Sequence, residues 1–148
     1  MSDEIRQAMA RAFFASAYAD QYDEAASAGL EMPFNPVGCD WMYLIPDDID
    51  PAALHAAMTL EADMSLANGH KSLAALLTIA EAAGPSGDRE LTPDMFGHYL
   101  AMQAMGTGVG LYDAFGAAVH DAIHVPYVEF GVYSLERDYF DSADSAEN

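Results

Sequence analysis

The chain has 148 residues, the length of one domain, and can bury roughly 70% of its unfolded surface in a single core without disulfides or structural metals. Hydrophobic residues at 52% and a mean hydropathy of +0.02 exclude disorder throughout, yet 24 Asp and Glu stand against 5 Lys and Arg, a formal charge of −19. Five scattered cations, Arg6, Arg11, Lys71, Arg89 and Arg137, exclude ordinary binding to nucleic-acid phosphates and disfavour an anionic membrane surface.

From Asp3 to Ala28 the chain is rich in Ala and spaces Ile5, Met9, Phe13, Ala17 and Tyr18 at helical intervals, which predicts an amphipathic helix ended by Gly29. Pro33, Pro36, Gly38 and Pro46 then break helix, around an apolar run 41–45 that fits a strand or a buried extended segment. Asp50-Pro51 offers an N-cap followed by proline at the first helical position, with Leu54, Ala57, Met58, Glu61 and Met64 in helical register up to Asn68-Gly69. Leu73, Leu76, Leu77 and Ala80 predict a further helix stopping at Gly84-Pro85, and Thr92-Pro93-Asp94 is a second cap signal. The stretch 99–105 suits helix or strand, Gly106, Gly108 and Gly110 form a tight turn, and a helix is expected from Asp113 to Ile123. Alternation over 127–133 predicts a strand. The expected fold is α+β, a mostly helical single domain with a small antiparallel sheet formed late in the chain. It spans residues 1–140 and is followed by an acidic, flexible tail over 141–148.

The acidity is uneven. Residues 1–24 carry −3, 25–70 carry −7 with no Lys or Arg at all, 71–100 and 101–128 carry −2 each, and 129–148 carry −5. Cys39 has no partner for an internal disulfide, Asp3 and Glu4 stand where a signal peptide is cationic, and no run approaches the roughly 20 apolar residues of a membrane span. These features predict a protein of the cytoplasm, with no membrane association.

Few motifs suggest catalysis. His120 and His124 in HDAIH are spaced i, i+4, as one helix face would offer two nitrogens to zinc, with His98, His55 and His70 available as third ligands. Two surface histidines near a helix C-terminus account for the same residues. Gly106-Thr107-Gly108-Val109-Gly110 lacks the last glycine of a dinucleotide loop and the lysine of a P-loop, so a turn is the better account. Cys39 lies beside Asp40 with no nearby cation to lower its pKa, and Asp47-Asp48-Ile49-Asp50 lacks the central glycine of a calcium loop. The expectation is a protein that is not an enzyme and needs no cofactor or metal.

From Gly97 the residues Gly97-His98-Tyr99-Leu100, Met102 and Gly106-x-Gly108-x-Gly110-Leu111-Tyr112-Asp113 resemble a motif in a largely uncharacterised family of small acidic proteins encoded by bacteriophages and prophages. The helix start at Asp48 to Pro51 and the order of elements fit as well. Tyr99, Ala101, Gln103, Ala104, Met105 and Thr107 depart from the family's polar and aromatic residues, so no role of its Arg, Asn or second His carries over. The resemblance implies a phage or mobile-element origin and, through an aromatic hairpin, a strand-turn-strand over 98–112.

Origin and charge together predict an inhibitor of a host nucleic-acid-binding defence protein, of anti-CRISPR or anti-restriction type, that presents carboxylates where phosphates would sit. The expected partner is a basic nucleic-acid-binding protein or complex of the host, with no direct contact to nucleic acid. Its acidic surface is assigned to Asp20, Asp23 and Glu24, spaced i, i+3 and i+4, together with Glu31, Asp40, Asp47, Asp48, Asp50, Glu61 and Asp63. The alternatives are a phage accessory protein that binds its partner without mimicry and a metal-dependent enzyme using His120 and His124.

Overall fold

The computed structural model describes residues 2–27, 49, 51–106 and 110–128, with the side chains of the first helix described as far as Ala17. Within them lie helices α1 (Ser2–Ser27), α2 (Pro51–Ala67), α3 (Leu73–Ala83), α4 (Pro93–Met105), α5 (Leu111–Phe115) and α6 (Ala117–Ala122).

α1 packs chiefly on α4 and α2 and more lightly on α3. Ala8, Met9, Ala10, Ala12, Phe13, Phe14, Ala15 and Ala17 are all buried, so between 8 and 17 only Arg11 and Ser16 reach solvent in part. A helix apolar on every side belongs inside a core, and the single apolar stripe expected from the sequence understates this. Its alanines let neighbouring helices approach closely. One close approach is at Gly97 of α4, where an added Cβ would lie 2.4 Å from the Ile5 carbonyl oxygen and 2.8 Å from Ala8 Cβ. Phe13, Phe14, Phe96 and Phe115 fill the core around these small residues, each contributing about 2–3 kcal/mol by burial.

Helix ends follow the local chemistry. The Ser72 hydroxyl accepts from the Ala75 N–H at 3.1 Å, and Ser2 accepts from the Ala74 N–H at the same distance, so two free donors of α3 are satisfied, one from 72 residues away. Thr92 caps α4 through the Met95 N–H, with Pro93 just inside. Ser2 thus ties the start of α1 to the first turn of α3, and Arg6 ties it to Glu61 in the second half of α2.

The expected α+β fold with a late sheet is corrected: no strand occurs among the described residues. The expected strand-turn-strand over 98–112 is corrected: 98–105 is the body of α4 and 111–112 the start of α5, while 107–109 lie outside the described residues. Pro93 to Met105 contains no β-branched residue, and Phe96, Gly97, Leu100, Ala101 and Ala104 are buried at helical spacing. Gly106, at φ 70°, ends α4 in the left-handed conformation, and the Gln103 side chain accepts from the Leu111 N–H at 3.0 Å, capping α5 where Gly110 has no side chain to do so. The helix expected from Asp113 to Ile123 is broken at Gly116, with φ 95°. Tyr127 and Val128 belong to no strand, and the rest of 127–133, the run 41–45 and the tail 141–148 lie outside the described residues.

Candidate functional site

Of the ten carboxylates assigned to a partner surface, Asp20, Asp23 and Glu24 lie on the last two turns of α1, in the continuous helix their spacing requires. Their placement opposes local electrostatics. A helix C-terminus carries roughly half a negative charge, α1 has no basic residue in its last turn, and Asp20 and Glu24 are like charges at i, i+4 spacing. The nearest cation along the helix, Arg11, is nine residues before Asp20, or about 14 Å along the axis, beyond the Debye length of about 8 Å at physiological salt. The N-terminal half is balanced by contrast, with Asp3 and Glu4 against Arg6 and Arg11.

Glu61 and Asp63 are not brought together. Glu61 is only partly exposed and holds Arg6 in a bidentate pair, Nε to Oε2 at 2.5 Å and a terminal nitrogen to Oε1 at 3.0 Å, while Arg6 also reaches Asp3 at 3.0 Å. The Glu61 hydrogen bond pushes the Arg6 guanidinium above its ordinary range. Glu61 is thus committed to the α1–α2 contact, and Asp63, two residues on, is exposed. Glu31, Asp40, Asp47, Asp48 and Asp50 lie outside the described residues, as does Cys39.

The HDAIH pair does not share a helix face. α6 stops at Ala122, Ile123 turns extended, and His124 lies beyond it. The His124 N–H donates to Asn68 Oδ1 at 3.0 Å and its carbonyl accepts from Asn68 Nδ2 at 2.8 Å. His120 stays on α6, 3.3 Å from Asp121 and edge-on to Tyr112. No group of three or more His, Cys, Asp or Glu able to hold a metal ion occurs among the described residues, and no helix there is long and apolar enough to cross a membrane.

One surface was missed by sequence reasoning. Met58 and Leu66 are 52% and 68% exposed and, with Ala62 between them, line the outward side of α2. Met58 carries the helical spacing of its buried neighbours, so only the packing partners reveal that it faces out. Comparison with protein-family models, with curated proteins and with solved structures returns no significant match.

Proposed function

We propose that the chain is a phage or mobile-element inhibitor of a host nucleic-acid-binding defence protein, presenting carboxylates in place of phosphates. The observation that carries this reading is the end of α1. Three acids stand in register where the helix dipole, their mutual repulsion and the distance to any helix cation all disfavour them. Departures from a local rule are expected at functional or strained sites. A run of like charges at helical spacing supports recognition of a basic groove, since long-range steering depends on the field and not on which group produces it. The cation-free stretch 25–70 adds to that field, and the phage origin rests on the resemblance of the segment from Gly97 to Asp113.

The test is capture of host proteins on the immobilised chain, followed by competition with duplex and single-stranded nucleic acid. A mimic retains a basic nucleic-acid-binding protein that nucleic acid displaces. Retention unaffected by either competitor contradicts the proposal.

The exposed Met58-Ala62-Leu66 stripe favours a second reading, a phage accessory protein gripping its partner through apolar contacts. The substitutions M58S and L66S separate the two. They abolish binding by the apolar route and leave groove mimicry, with its salt dependence, intact.

A further inference from the structure

Asn68-Gly69 follows the last residue of α2, in an exposed turn where Gly69 and His70 both take positive φ, 74° and 60°. The Asn68 carboxamide is a three-point fastener. Its nitrogen donates to the Met64 and His124 carbonyls, each at 2.8 Å, and its oxygen accepts from the His124 N–H at 3.0 Å. It ties residues 123–128 to α2, and at the other end of that extended strap the Val128 N–H donates to Ala104 at 2.9 Å. Lys71 lies over the same turn. Its Nζ donates to the Asn68 backbone oxygen at 3.2 Å, and a Cβ on Gly69 would lie 3.1 Å from that nitrogen.

This arrangement has chemical consequences. Asparagine followed by glycine deamidates when the next backbone nitrogen loses its proton and attacks the side-chain carbonyl carbon, and glycine has no Cβ to obstruct the approach. Here the carbonyl of the attacking Asn68–Gly69 peptide is bound by an ammonium, which stabilises the amide anion as any adjacent cation favours a charged form.

We propose that the turn is a self-modifying latch: Lys71 activates the Gly69 nitrogen, Asn68 deamidates, and the strap 123–128 is released. The Gly69 nitrogen bonds to Asn68 Cγ, and the carboxamide nitrogen leaves as ammonia with the displaced proton, closing a succinimide. Water opens either carbonyl of the ring, giving aspartate or isoaspartate and one proton. The new carboxylate still offers an acceptor to the His124 N–H but has no hydrogen to donate, so both donated bonds are lost and it faces the Met64 and His124 carbonyls as a charged acceptor at the negative end of α2. In the intact protein the three hydrogen bonds hold the carboxamide away from attack, so the reaction waits on local opening of the strap.

The full-length wild type, K71Q and N68D are incubated at mildly alkaline pH, in native buffer and in urea, with peptide mapping of position 68 and hydrogen exchange read at the His124 amide. The native wild type is expected to convert at Asn68, at least about tenfold more slowly than in urea. K71Q slows the native reaction and leaves the urea rate unchanged. Exchange at His124 rises about tenfold or more in converted wild-type chains and in N68D, while α3 amides keep their protection. The proposal is overturned by a native chain that does not convert while the unfolded one does, by equal native rates for K71Q and wild type, or by unchanged His124 exchange in converted chains.

Discussion

Two residues apart on α2, Glu61 and Asp63 carry the same charge into different surroundings. Glu61 joins α2 to α1 through Arg6, with both side chains partly withdrawn from water, whereas Asp63 faces solvent. E61Q is therefore expected to lower stability by about 1–2 kcal/mol, the scale of a charge-assisted hydrogen-bonded pair, and D63N to leave it within about 0.5 kcal/mol, both read by urea unfolding. Equal effects would deny the pair its structural role. Gly97 is the other residue with a sharp requirement. G97A forces a methyl against the Ile5 carbonyl and Ala8 and is expected to cost about 1–3 kcal/mol. A neutral result would mean that α1 and α4 separate freely.

At the scale of the element, α1 combines a buried middle with an electrostatically unfavourable end. Replacing the three acids there, as D20N, D23N and E24Q together, is expected to raise thermal stability by a few tenths of a kcal/mol per site at low salt, with the gain shrinking as salt is added. A loss of stability would show instead that these acids serve the fold. Much of the helical framework was legible because it is local: Pro51 opens α2, Thr92-Pro93-Asp94 marks the start of α4, and Gly84 the end of α3. The hairpin that the family's glycine pattern implies over 98–112 does not form, because the local content of this chain favours helix. Pro93 to Met105 has the composition and spacing of a helix, and Gly106 ends it. The break at Gly116 was missed because its neighbours are good helix formers, and only the φ of 95° announces it.

Across the whole molecule the charge is divided unevenly. Ten of the 24 carboxylates and four of the five cations belong to side chains whose surroundings are described, a net −6, so −13 of the −19 resides in the other residues, Asp20, Asp23 and Glu24 among them. The packed body is only moderately acidic. Its long-range ties were invisible to sequence reading: Arg6 with Glu61 and Asn68 with His124 join residues more than 50 positions apart, and no local pattern marks either. The acidic surface was legible as composition and, at α1, as spacing, whereas the commitment of Glu61 to Arg6 was not. The most direct measurement of the central claim is the salt dependence of binding to the captured nucleic-acid-binding target, for the wild type and for the α1 triple variant. Mimicry predicts a wild-type affinity that falls about tenfold or more between about 50 and 200 mM salt, and a triple variant that binds more weakly with a shallower dependence. An affinity independent of salt, or a triple variant indistinguishable from the wild type, would contradict it.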